Sequence, residues 1–341
     1  MKRSTGKDPG PPDSGEVQSR YYPRRDFLRL AGGCTAQLTL AGAFAGGTAR
    51  PLFAHRPGVK IVQEVPWGRL EEVGPGIWAL VSTPLQDRAT LCNGGIVQGR
   101  TGVVMVEAFG TPEGAAWMAR QARALTGRWP DQVVLTHYHG DHSAGLPGLA
   151  GPEMEAPVIR ATAATRALTR NTALGREDEA LLNALERVAH LPSGEVTSVD
   201  LGDREVRLVP REGHTASDLT VEIPDPSVVF CGDLVWNRFF PNFVDTIPTL
   251  LTPAVRALRR QRPTVYVPGH GPVADSADLD LLVELLDRVE AHARRAHREG
   301  TEASEAAETL VLPSALEDWY RFSPQYPERA LAAWLRELSA T

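Results

Sequence analysis

The chain has 341 residues, 42% of them hydrophobic, enough to bury a substantial core in one large domain or in one domain with a small appendage. Its formal net charge is -6 and no basic stripe runs along a predicted face, which argues against a nucleic-acid partner and leaves small or weakly charged substrates. Three cysteines in this length make no disulfide scaffold.

Residues 1–23 are rich in Pro, Gly, Ser and charge and are expected to be disordered. Arg24-Arg25-Asp26-Phe27-Leu28-Arg29 then precedes an uncharged, Ala- and Gly-rich stretch from Leu30 to Ala45. This arrangement resembles a twin-arginine export signal, so residues 1–45 are read as a disordered leader plus signal, cleaved after Ala45, with Ala54 as a second choice. The alternative is an N-terminal amphipathic or transmembrane helix, but about sixteen residues fall short of the roughly twenty that a span needs. Cleavage would remove seven Lys/Arg and four Asp/Glu, taking the net charge from -6 to -9. The resemblance implies the twin-arginine export machinery as a partner, a periplasmic or otherwise exported location, and no stable membrane insertion after cleavage. It also implies export in the folded state. Cys34, in Ala31-Gly32-Gly33-Cys34, is faintly similar to a lipoprotein processing site, but Arg29 interrupts the apolar stretch such a site needs. Cys92 and Cys231 are read as buried thiols.

A catalytic domain is expected over residues 56–275. Val59 to Val62, Leu70 to Val73, Ile77 to Ser82 and Ile96 to Gln98 read as strands, and Gly99-Arg100-Thr101-Gly102 closes a hairpin onto Val103 to Glu107. A helix follows, capped by Thr111, with Pro112 in its first turn and Glu113 where the helix dipole favours negative charge; it stops near Gly127. Asp131 to Thr136 is a short buried strand. Helices are predicted over Ala161 to Thr172 and Glu177 to Ala189, and strands over Glu195 to Asp200, Glu205 to Val209, Leu219 to Ile223 and Val228 to Cys231. A helix from Thr252 to Gln261 leads to a strand from Thr264 to Val267. Residues 276–341 form a C-terminal helical extension, with a long helix from Ser276 to Arg298 and a short one from Glu328 to Leu338.

The chemistry concentrates in Thr136-His137-Tyr138-His139-Gly140-Asp141-His142. His137 and His139 are two apart, so in extended chain both imidazoles leave one side of the backbone, while Gly140 lets the chain bend and deliver Asp141 and His142 separately. One segment could thus serve two neighbouring metals, and that density of ligand types outweighs a reading as a solvated polar loop. Three later positions stand at turns beside predicted strands: His214 in Gly213-His214-Thr215, Asp233 after Gly232, and His270 in Gly269-His270-Gly271. Each has glycine beside it, which permits the close backbone approach that aims a ligand into a shared cleft. His55, His190, His292 and His297 lack such settings and are read as surface or helix-face residues.

Taken in order, His137-Tyr138-His139-Gly140-Asp141-His142, His214, Asp233 and His270 resemble the metallo-β-lactamase superfamily, over about Val73 to Pro272. The resemblance implies an α/β fold, a four-layer αββα sandwich with the site at one edge. It implies one metal on His137, His139 and His214, a second on Asp141, His142 and His270, and Asp233 bridging them. Two divalent cations so placed can share a water and lower its pKa from about 15.7 to near 7, so hydrolysis needs no serine or cysteine. Asp141 is the protein group nearest a proton-transfer role, and Asp141 and Asp233 are the expected catalytic carboxylates. Two zinc ions suit the imidazoles and carboxylates, and iron or manganese also fits.

Glu107 stands where the family usually carries aspartate, and it could accept a hydrogen bond from a ligand histidine. Asp218 and Thr215 either do the same for His214 or cap a local turn. Tyr138 is expected to pack beside the metal loop. Trp236-Asn237-Arg238-Phe239-Phe240 either walls a substrate pocket or docks the C-terminal helices as core. The expected function is an exported hydrolase of an ester, thioester, lactone or amide in a small-molecule substrate. The nearest rival is an iron-dependent persulfide dioxygenase using His137, His139, His214 and Asp233 or a subset, and β-lactam cleavage is a further alternative. Asp233 occupies a position where penicillin-degrading members often carry cysteine, and the Gly-Cys-Gly-Arg stretch of the glyoxalase II thioesterases is replaced by Leu234-Val235-Trp236-Asn237.

Overall fold

The central strands carry apolar residues on both faces, so they demand cover on both sides. The computed structural model describes residues 59–83, 86–316 and 319–340. The expected leader, export signal and cleavage sites, Cys34 and His55, lie outside them.

An eight-stranded sheet runs in chain order: β1 (Lys60–Val65), β2 (Gly68–Gly74), β3 (Ile77–Ser82), β4 (Gly94–Gln98), β5 (Val103–Val106), β6 (Gln132–Val134), β7 (Val158–Thr162) and β8 (Val188–Leu191). It is antiparallel to β5 and parallel from β5 to β8. The change of direction requires a crossover, and helix α1 (Pro112–Thr126) supplies the first. Thr111 Oγ1 caps α1 by accepting from the Gly114 amide, and Gly127 ends it in the left-handed region at φ 77°. The second sheet has the order β13 (Val265–His270), β12 (Val228–Trp236), β11 (Leu219–Ile223), β10 (Glu205–Pro210), β9 (Thr197–Asp200), with β12 and β13 parallel.

Alternation along the strands sorts the core into three apolar layers. Ile77, Ala79, Val81, Val104 and Val106 of the first sheet meet Leu208, Val221, Phe230 and Val267 of the second between the sheets. Leu80, Met105 and Val133 point the other way, onto Ala115, Met118 and Ala122 of α1. Val229, Cys231 and Tyr266 cover the outer face of the second sheet against the C-terminal helices. The result is the expected helix, sheet, sheet, helix order.

Between β6 and β9 lie the short α2 (Gly140–Ser143), α3 (Ala163–Asn171), α4 (Ala173–Glu177) and α5 (Glu179–Leu185). The helix expected over Glu177 to Ala189 stops at Leu185, because Val188 to Leu191 pairs in parallel with β7, and edge pairing of buried Val188 and Leu191 overrides helical periodicity. Helix α6 (Pro248–Leu258) begins a turn earlier than expected, with Pro248 in its first turn. Helix α7 (Ser276–Glu299) opens with a capping box between Asp275 and Asp278, then come α8 (Ala303–Glu308) and α9 (Tyr326–Leu338). Leu282, Leu285 and Val289 of α7 and Leu331 and Trp334 of α9 join the outer layer.

Candidate metal centre

The chain leaves β6 in extended form, and His139 keeps that geometry at φ -59°, ψ 148° before Gly140 opens α2. His137 and His139 therefore stand on one side with ring centroids 4.7 Å apart, and the first turn of α2 redirects Asp141 and His142. His214 comes from the turn between β10 and β11. Asp233 lies inside β12, which runs to Trp236 rather than ending at Cys231 as the sequence suggested, and His270 is the last residue of β13. The backbone irregularity that aims Asp233 is Gly232, at φ 53°, where a β-carbon would lie 2.5 Å from Thr136 Oγ1.

These seven side chains form two groups, His137, His139, His214 and Asp233, and Asp141, His142 and His270, with the candidate ligand atoms of each within 4.8 Å of one another. His139 Nδ1 is 3.1 Å from His214 Nε2. Asp233 Oδ2 is 3.4 Å from His214 Nε2, while its Oδ1 is 3.2 Å from His142 Nε2 and 3.5 Å from His270 Nε2. One carboxylate thus faces both groups. His270 Nε2 lies 3.2 Å from Asp141 Oδ2. His137 Nε2, His142 Nε2 and Asp233 Oδ1 are buried without a hydrogen-bond partner among the described residues. Buried polar atoms left this way cost about 1–3 kcal/mol each, so their convergence fits a cation. Nitrogen and carboxylate donors suit zinc, iron or manganese.

The electrostatics divide the centre. Burial and the neighbouring imidazoles hold His137 far below its ordinary pKa, and burial brings His214 down to about 3. His142 and His270 go the other way. Burial opposes their charge, but Asp233, Asp141 and the groups around them prevail, lifting His142 well above the ordinary value and His270 to about 9. For Asp141, burial is outweighed by His142 and His270, which draw it down to about 2.

Supporting groups surround the ligands. Glu107 Oε1 is 3.0 Å from His142 Nδ1, off the line of a good hydrogen bond, and the carboxylate also accepts from the Thr136 amide and hydroxyl. The extra methylene of glutamate therefore does not keep it from the ligand. Asp218 accepts from the amide and hydroxyl of Thr215, so the pair caps the turn that carries His214, and burial raises Asp218 to about 7. Tyr138 donates its hydroxyl to Asp245, which also lies 3.0 Å from His139 Nε2. Asn93 joins the two sheets: its amide group donates to Pro268 O and Gly271 O on either side of His270, and its oxygen accepts from the Ser82 amide. Neither Asp245 nor Asn93 was singled out from the sequence. Asp245 sits alone in a loop, and Asn93 precedes two glycines that read as a turn.

The aromatic run resolves toward packing. Phe239 and Phe240 are fully buried and Trp236 nearly so, within the layer that holds the C-terminal helices. Residue 320 pairs with this run, its amide donating to Arg238 O and its carbonyl accepting from the Phe240 amide. Asn237 donates to Pro272 O, and Arg238 alone of the five keeps an accessible side chain. Trp236 still borders the centre, its ring 4.2 Å from that of His270. His190 and His297 are exposed as expected, whereas His292 is buried in α7, with Nε2 against Ala306 O and Nδ1 against the Arg295 guanidinium. Cys92 and Cys231 are buried free thiols.

The family model for the metallo-beta-lactamase superfamily matches residues 87–270, a span that contains all seven candidate ligands. The chain belongs to that superfamily. Among curated proteins, a hydroxyacylglutathione hydrolase from Acidiphilium cryptum is 30% identical over 218 residues, covering 64% of this chain and 79% of the relative. A beta-lactamase-like protein 2 homolog from Caenorhabditis elegans is 23% identical over 201 residues, 59% of this chain, and the match spans only 61% of that relative's length. Among solved structures, a metallo-beta-lactamase from Pseudomonas aeruginosa in a mono-zinc form has a TM-score of 0.52 at 20% identity, covering 66% of this chain and 96% of that one. A metallo-beta-lactamase from Pontibacter korlensis has a TM-score of 0.50 at 18% identity, covering 67% and 99%. At these identities the structural likeness speaks for the superfamily fold alone.

Proposed function

We propose that this metallo-beta-lactamase superfamily member is a hydrolase of an ester, thioester, lactone or amide that works with two divalent cations, zinc first among them. The observation that carries the reading is Asp233, whose two oxygens face the two imidazole groups. Bound there, such a pair would supply Lewis acidity and lower the pKa of a water from about 15.7 to near 7. His137, His139 and His214 would hold one cation, Asp141, His142 and His270 the other, and Asp233 would span them. Asp141, the more accessible of the two central carboxylates, would be the protein group nearest a proton-transfer role. Trp236 and the Asn93 clamp keep the His270 side of the centre fixed. Thioesters head the candidate substrates, because the relative at 30% identity is named a hydroxyacylglutathione hydrolase.

A one-iron persulfide dioxygenase would need only the first group or part of it, and the complete second group favours the pair. Elemental analysis of the purified protein and of Asp233→Ala is the test. About two zincs per chain, falling on substitution, together with turnover of a thioester, ester, lactone or β-lactam panel, support the hydrolase. One iron per chain with oxygen consumption on a persulfide overturns it. Export by the twin-arginine route belongs to the same reading, supported by Arg24-Arg25-Asp26-Phe27-Leu28. Replacing both arginines by lysine should leave the protein in the cytoplasmic fraction.

A further inference from the structure

Each imidazole in the His137 to His142 segment has one nitrogen turned to a neighbouring side chain, hydrogen-bonded for His137 and His139 and only close to Glu107 for His142, and one turned to the centre, and the choice differs along the segment. His137 has Nδ1 3.1 Å from Thr136 Oγ1, which leaves Nε2 inward and without a partner. His142 has Nδ1 against Glu107, again leaving Nε2 inward. His139 is reversed: Nε2 lies 3.0 Å from Asp245 Oδ2, and Nδ1 points inward, 3.1 Å from His214 Nε2. A neutral imidazole carries one N–H, and an ionised carboxylate can only accept, so Asp245 sets the proton on Nε2 and the lone pair on Nδ1.

We propose that Asp245 is a positioning residue that selects which nitrogen of His139 faces the metal centre, with Tyr138 holding Asp245 in place. The inference rests on the two-cation reading above. His139 needs such a tether more than its neighbours do. It is the residue before α2, it has no side-chain cap, and its ring keeps 15% of its exposure, whereas the His142 ring has none. Asp245 is itself 35% exposed, so its effect is geometric more than Coulombic. The Tyr138 hydroxyl donates to the same carboxylate oxygen, and the ring of Tyr138 lies 4.6 Å from that of His139. A tyrosine between two ligand histidines thereby has a reason to be there, since it fixes the acceptor that fixes its neighbour.

The test uses the full chain labelled with 15N-histidine and loaded with zinc, with His139 assigned from the signals lost in His139→Ala. A long-range 1H–15N spectrum should place the His139 proton on Nε2 and the His137 and His142 protons on Nδ1. Competition with a chromophoric chelator should show one zinc of Asp245→Ala bound about 10–100-fold more weakly, while the other stays within about threefold of the unaltered protein, and Asp245→Asn should recover most of the loss. A His139 proton on Nδ1 in the unaltered protein overturns the inference without any variant, so a poorly folded Asp245→Ala cannot shelter it. Unaltered affinity for both zincs in folded Asp245→Ala overturns it as well. Failure of the unaltered protein to bind zinc in stoichiometric amount is a different result, which removes the two-cation reading and this inference with it.

Discussion

At the residue scale, the two halves of the centre meet a cation in different protonation states. His214, at about 3, is neutral at pH 7, and so is His137. His270, at about 9, and His142 are protonated, and a protonated imidazole cannot ligate. Filling the second group at pH 7 must therefore expel protons, while in the first group only His139, lifted against the effect of burial by its hydrogen bond to Asp245, is raised above its ordinary value. The affinity of the second group should rise with pH as His270 gives up its proton through about 9. Calorimetric titration in buffers of different ionisation enthalpy should show the larger proton release on filling the group of Asp141, His142 and His270. The same shift bears on the metal-free fold. His270 is raised above its ordinary value of 6.5, so its contribution to stability is complete below about pH 6.5 and lost as the pH rises through about 9. Denaturant midpoints of the metal-free protein should fall across that window. The seven candidate ligands could be picked out in the sequence, and the fold brings them together, because metal chemistry needs few residue types at short spacing. Asp245 and Asn93 were not, because an isolated Asp or Asn gains its meaning only from what folding brings to it.

At the scale of elements, the strand ends act as brackets, and their tolerances are small. A β-carbon on Gly269 would stand 1.8 Å from Asp233 Oδ1, so Gly269→Ala must push the shared carboxylate aside. It should cost about 1–3 kcal/mol of stability and lower the metal content below that of the unaltered protein, read by denaturant unfolding and elemental analysis. Asn93→Ala should act from the other sheet. It strands Pro268 O, Gly271 O and the Ser82 amide, at about 1–3 kcal/mol for each group that water does not reach, and it should loosen the second cation before the first. Strand and helix identities came from periodicity and capping residues, as Thr111, Pro112 and Gly127 illustrate around α1. The errors fell where partners outvote local pattern. Residues 188–191 became a strand because β7 offers an edge, and β12 runs on past Cys231 because β13 lies beside it.

Across the whole molecule, the centre draws its candidate ligands from both sheets: four from the segment after β6, and His214, Asp233 and His270 from the second sheet and its turn. Cations there bind only the folded sandwich, so chelation should lower the unfolding temperature, by an amount set by affinity and free metal. Trp334→Ala, far from the ligands in the α9 layer, should cost about 3–5 kcal/mol in denaturant unfolding without changing metal stoichiometry. The pairing of residue 320 with residues 238–240 has one more effect. Phe322 follows it, stacks on Phe239, and reaches within 6.1 Å of the His270 ring, so the wall behind that ligand is built from residues made long after it. A growing chain carries its full set of ligands once residue 270 has left the ribosome, yet it lacks the backing of that wall until residue 322 has followed. The wall that backs His270 is thus the last part of the centre's surroundings to be made.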